Sequence, residues 1–207
     1  MFDMDEQALV TAAQKKDMDA FNRLVLEYQQ PVYNVAVRML NDLDAADDAT
    51  QQAFVAAYQK IHTFHGGSFK AWIMRIVTNK CYDMLRKQQR YPTQSIDASP
   101  YDPDEEMESG WYLEDEDLLP EEQVELRELE AAVQHCIEQL PQEFKATVVL
   151  VDIQGLNYEE AAFAMKTPLG TIKSRLARAR GTLQDCLHKF KELLPHRYRS
   201  TKEGSHE

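Results

Sequence analysis

Lys173, Ser174, Arg175 and Arg178 follow Gly170 and Thr171 in the run "TPLGTIKSRLARARGTLQDCLHKFKELL", which begins at Thr167. Arginine and lysine reach phosphates and guanine edges, and small residues between them let a helix come close to what it touches. Ile172, Leu176, Ala179, Leu183, Leu187, Phe190 and Leu194 recur at four- and three-residue steps, the mark of one buried helical stripe. The opposite arc then carries Gly170, Lys173, Ser174, Ala177 and Arg178, with Arg175 and Arg180 nearer its rim. A second basic stretch, "SFKAWIMRIVTNKCYDMLRKQQR", buries Phe69, Trp72, Ile73, Ile76 and Val77. At about 100° per residue, Arg75, Asn79, Tyr82, Arg86 and Arg90 form a separate row beside that face. Arginine tracks a phosphate backbone, asparagine pairs with base edges and aromatic rings stack on unstacked bases, which is the chemistry of single-stranded DNA binding. Phe64, in the loop before this stretch, adds a ring.

The net charge of −12 would oppose such binding if it were evenly spread. It is not. Thirteen of the 35 acids lie between Pro92 and Leu126, where there is no base, which leaves 22 acids against 23 bases elsewhere. Lys70 to Arg90 has six bases and one acid, and Lys166 to Arg199 has nine and two. An acidic belt thus separates two basic segments.

The elements that must position these residues read as helices throughout. Phe21, Leu24, Val25, Tyr28, Val32, Val35, Ala36 and Met39 mark one helix, with a kink expected at Pro31. A second is expected from Asp44 to Ile61, then a loop at Gly66-Gly67, then a long helix from Ser68 to Arg90. After the belt, periodicity returns at Val124, and Pro141 restarts a helix to about Ile153. Asn157 and Glu160 predict a capping box on a short helix, Tyr158 to Met165. Thr167-Pro168 predicts a capped start for the basic helix. A short helix, a tight turn and a basic helix together predict a helix-turn-helix. The expected fold is all-α: two small helical domains, 1–91 and 124–195, joined by a flexible acidic linker, 92–123, and followed by a polar tail, 196–207.

No run is long and apolar enough to span a membrane and the N-terminus is acidic, so a cytoplasmic protein is expected. The widely spaced Cys81, Cys136 and Cys186 are expected to be free thiols in a reducing compartment. His62 and His65 have no third ligand at useful spacing, so neither metal nor other cofactor is expected.

These stretches resemble the sigma-70 family of bacterial transcription initiation factors, in particular its small extracytoplasmic-function (ECF) group. "AFNRLVLEYQQPVYNVAVRML", "DAADDATQQAFVAAYQKI" and "FHGGSFKAWIMRIVTNKCYDMLRK" look like the family's region 2, and "LPQEFKATVVLVDIQGLNYEEAAFAMKTPLGTIKSRLARAR" like its region 4. The resemblance implies a non-catalytic subunit that binds core RNA polymerase at the beta-prime clamp and beta flap, directs it to minus-35 and minus-10 promoter elements and helps open the duplex. By position, Asp48, Gln51, Gln52 and Phe54 match the polymerase-binding helix. Gln52 stands where relatives often carry glutamate, so the resemblance implies one charged surface contact fewer, about 1 kcal/mol of affinity for core. Phe64 and Asn79 match the part that captures flipped bases of the minus-10 element, with Arg75, Tyr82 and Arg86 alongside. Thr171, Lys173, Ser174, Arg175 and Arg178 match the helix that reads the minus-35 element. The resemblance also implies an anti-sigma factor, often held at the membrane. It further implies a linker that threads the RNA exit channel as a mimic of RNA; the plainer reading of the belt is a soluble tether.

Two other classes fit the sequence less well. A stand-alone helix-turn-helix regulator would dimerise on palindromes and carry a sensor, and nothing in the first ninety residues resembles one. A nucleic-acid enzyme needs carboxylates or a nucleophile held on a scaffold, whereas the acids here are concentrated in the belt.

Overall fold

The computed structural model describes residues 6–90, 120–190 and 192–193, and every regular element among them is helical. Most of the acidic linker, including Trp111 and Tyr112, and the polar tail lie outside the described residues.

The first domain comprises α1 (Glu6–Gln14), α2 (Met18–Leu40), α3 (Leu43–Lys60) and α4 (Phe69–Arg90). Asp17 caps α2 by accepting from the backbone N–H groups of Asp19 and Ala20 at 3.0 and 3.1 Å. α2 runs on through Pro31 as one helix and ends at Asn41, which adopts the left-handed conformation. Asp42 then caps α3 at once, so the turn between the two helices is two residues long. α3 buries only alanines, Ala46, Ala49, Ala53, Ala56 and Ala57, a face on which its neighbours can pack closely. The core between α2 and α4 holds Leu24, Val32, Val35, Met39, Phe69, Ile73 and Met74. Gly66 and Gly67 take φ of 98° and 91°, which a side chain would resist, and let the loop turn into α4. Ser68 Oγ accepts from Ala71 N–H at 3.1 Å to start that helix.

The second domain comprises α5 (Pro120–Glu138), α6 (Gln142–Val148), a wider π turn at Val149–Ile153, α7 (Tyr158–Met165) and α8 (Leu169–Leu187). α5 starts four residues before Val124, inside the expected linker. Proline suits the first turn of a helix, so the helix can begin at Pro120. Gly155, at φ +70°, ends the π turn. Asn157 and Glu160 form both bonds of the expected capping box, each 2.9 Å. Thr167 does not cap α8: its hydroxyl donates to Met165 O at 3.0 Å and Pro168 occupies the cap position.

The expectation of three free thiols is corrected. Cys136 on α5 and Cys186 on α8 are joined as a disulfide with Cα atoms 5.7 Å apart, and only Cys81 is free. A separation of 50 residues in sequence cannot reveal that two helices bring these positions together. The two domains are packed on each other, α4 against α7, and one buried apolar cluster runs through both. Lys70 Nζ crosses the boundary to donate to Gln154 O at 2.6 Å. Among the described residues no helix is long and apolar enough to cross a membrane.

Candidate nucleic-acid interface

The outward arc of α8 is as its sequence predicts. Gly170, Lys173, Ser174, Ala177 and Arg178 are exposed, while Ile172, Leu176 and Ala179 are buried. A Cβ added to Gly170 would meet nothing within 4 Å, so nothing inside the protein demands glycine there. Thr171 is half-buried and its carbonyl accepts from Ser174 Oγ at 3.0 Å. Lys173 Nζ hangs 5.9 Å above the Tyr158 ring at the start of α7. Arg175 departs from the expectation. Its side chain is 18% exposed and donates to Glu143 Oε2 on α6, so it fastens α8 to its own scaffold instead of facing outward. Arg180 does likewise, donating to Asp152 at 2.5 and 3.1 Å. Both acids were missed because an ion pair between residues 32 or 28 apart has no periodic signature. Lys173 and Arg178 are left as the exposed cations of the outward arc.

On α4, Asn79 and Arg86 are exposed and Arg75 is half-buried. Asn79 Nδ2 donates to Arg75 O at 2.7 Å, which holds the amide against the helix. Arg86 lies 3.5 Å from Asp83, an exposed pair worth little in water. Neither ring is presented as a stacking face. Phe64 is 5% exposed and packs edge-on and tilted against Phe69 and Trp72, at 5.8 and 5.5 Å between centroids. Gln14 fixes the loop from α1 by donating to Phe64 O at 2.6 Å. The Tyr82 hydroxyl is enclosed without a hydrogen-bond partner. Burial first, and then the Glu143 carboxylate, push its pKa up to about 12. The row containing Tyr82 is correct as a helical face, but the second domain closes over part of it.

A cleft of about 460 Å³ opens where the domains meet. Its walls include Phe64, Trp72, Arg75 and Asn79 from the first domain and Phe163 and Lys166 from α7 and its end. The Arg75 guanidinium lies 4.9 Å from the Phe163 ring centroid, a cation–π contact across the domain boundary. Phe163 is 46% exposed, and sequence reading passed over it. An aromatic at an outward position of a short helix was its available signal.

On α3, Asp48, Gln51 and Gln52 are exposed, whereas Phe54 is half-buried and packs on the core. The apolar residue presented on this face is Val55, 58% exposed, one turn beyond Gln51 and two beyond Asp48. Among the described residues no cluster of three potential metal ligands occurs.

Two family models match the chain in order: Sigma-70 region 2 over residues 24–91 and Sigma-70, region 4 over residues 130–183. RNA polymerase sigma-H factor of Pseudomonas aeruginosa is 36% identical over 184 residues, covering 88% of this chain and 93% of that protein. The chain belongs to the sigma-70 family. The ECF RNA polymerase sigma-E factor of Escherichia coli is 37% identical over 184 residues, covering 88% and 94%, which sets this sigma factor in the ECF group. Two solved structures share its fold: CnrH in complex with the cytosolic domain of CnrY, with a TM-score of 0.64, 22% identity and coverage of 89% and 99%, and RpoE of Bartonella quintana in complex with the anti-sigma factor NepR, with a TM-score of 0.60, 25% identity and coverage of 81% and 96%. As a sigma factor it is a non-catalytic specificity subunit that directs RNA polymerase to promoters. The α3 and α4 faces fall within the region 2 match, and the α8 face within the region 4 match.

Proposed function

We propose that this sigma factor divides promoter recognition between its two domains. Thr171, Lys173, Ser174 and Arg178 on α8 read the minus-35 element in the major groove, with Arg175 positioning the helix through Glu143. Arg75, Asn79 and Arg86 on α4 engage the non-template strand of the minus-10 element. Phe64 and Tyr82 act from behind, as part of the packing that holds the α4 surface. Asp48, Gln51, Gln52 and Val55 form the polymerase-facing side of α3 against the beta-prime clamp, with the beta flap as a second contact.

The observation that carries this reading is the outward arc of α8. It combines exposed cations with Gly170, whose lack of a side chain serves no internal packing. That smallness is what close approach to a duplex requires.

Binding both elements requires the domains to separate. Elements about 25 base pairs apart are separated by about 85 Å of duplex. A domain of this size has a radius of gyration of only about 12 Å, so packed neighbours cannot reach both. The packed arrangement is then a resting state. RpoE of Bartonella quintana, of the same fold, is solved with an anti-sigma factor. We extend such an antagonist to this chain, which would act in the cytoplasm and be retained at the membrane when the antagonist is membrane-held.

Run-off transcription with core polymerase on a fragmented genomic library tests the assignment and reports the promoter. Discrete start sites sharing two upstream elements are expected; a protein that forms no holoenzyme would sink the proposal.

A further inference from the structure

Cys136 and Cys186 lie on neither DNA-facing surface, yet a bond between them joins two helices of the second domain. Cys136 is fully enclosed on α5, whereas Cys186, in the last turn of α8, keeps 6% exposure. Among its described residues α5 is held by a narrow strip of buried side chains, Ala132, Cys136 and Ile137, so one of its few anchors is a cysteine sulfur. Two residues before Cys136, Gln134 accepts from Arg38 at 3.2 Å and donates to Asn41 at 3.4 Å, at the end of α2. The bond therefore sits where α5, the reading helix and the first domain are tied together. Cys81, enclosed in α4, stands apart, with burial pushing its thiol up to about 12.

We propose that Cys136 and Cys186 are a reversible redox pair, opened to two thiols or closed to a disulfide by exchange with small-molecule disulfides, and that closure fixes α5 onto α8. Cys186 reacts first because it sits at a helix end and alone keeps some exposure. With glutathione disulfide as oxidant, its thiolate attacks one sulfur and releases one glutathione. The Cys136 thiolate then attacks Cys186 Sγ, the mixed disulfide breaks and a second glutathione leaves. Two electrons pass from the cysteines to glutathione disulfide, and the two thiol protons end on the two glutathiones. Excess thiol reverses each step.

The test equilibrates the full chain in glutathione buffers and counts alkylated thiols by mass spectrometry. Three are expected under reducing conditions and one, Cys81, under oxidising conditions, returning to three on reduction. Cys136→Ser should trap glutathione on Cys186 at least tenfold faster than Cys186→Ser traps it on Cys136. Closure should slow hydrogen exchange in α5 and raise Tm by about 10 °C. Cys81→Ser should lower each thiol count by one, to two and none, and leave the exchange, trapping and Tm changes as they are. A count that stays at three, closure that cannot be reversed, a reversed order of trapping, or closure without protection of α5 would overturn the proposal.

Discussion

Arg175 and Arg178 are three residues apart on α8 and do different work because their surroundings differ. Arg178 is exposed, and Arg178→Ala should weaken binding of a minus-35 duplex by about 1–3 kcal/mol and lower the salt dependence by about one ion. Fluorescence anisotropy at several salt concentrations measures both. Arg175→Ala should instead lower thermal stability. Its Glu143 partner is 63% exposed, so solvent screening limits the loss to about 1 kcal/mol. Tyr82 gives a second pair of outcomes. Its hydroxyl is enclosed without a partner, so Tyr82→Phe should be neutral or stabilising at pH 7 in thermal melts. The folded pKa is raised to about 12 from an ordinary 10. Between those values the unfolded chain has already released its proton while the folded chain still binds it, so stability is complete below pH 10 and falls as pH rises towards 12. Tyr82→Phe should lessen that alkaline loss, leaving the shares due to Cys81, Tyr28 and Tyr33, whose pKa values burial raises in the same direction.

The helices differ in how much of their definition is local. The box between Asn157 and Glu160 needs only four consecutive residues, and it formed as the sequence predicted. Asn157→Ala should cost about 1 kcal/mol, read as a lower Tm, because it frees backbone donors at the start of α7. Thr167 looked equally well placed, yet its hydroxyl turned back to Met165 O. Its competing acceptor is created by the end of α7, with Lys166 in the left-handed conformation, so the choice depends on two helices together. The segment from Pro141 to Ile153 was legible as helical, but its change to π geometry from Val149 was not. Apolar spacing sets which face is buried and tolerates either winding. α5 began at Pro120, earlier than expected, since apolar periodicity is visible only from Val124 whereas a proline can open a helix ahead of it.

In the closed molecule, α7 lies across the α4 surface, with Phe163 on Arg75 and Lys70 bonded to Gln154. Removing the ring should favour opening. Phe163→Ala is expected to raise affinity for a single-stranded minus-10 oligonucleotide about fivefold, equivalent to one lost cation–π contact of about 1 kcal/mol. An unchanged affinity would mean that α7 does not restrict access to α4.

The helical class, the two-domain division, the outward arc of α8 and the family followed from the sequence, since each rests on periodicity, local capping or ordered motifs along one chain. Which polar and thiol groups meet was a different matter. Arg175 with Glu143, Arg180 with Asp152, Cys136 with Cys186 and Arg75 with Phe163 are pairs from different helices. So too with the rings: Phe64 and Tyr82 had the right composition for stacking, but their exposure depended on what packed over them. A helix's own sequence states which of its faces is buried; only packing determines which neighbour covers it, and therefore which side chains remain for DNA.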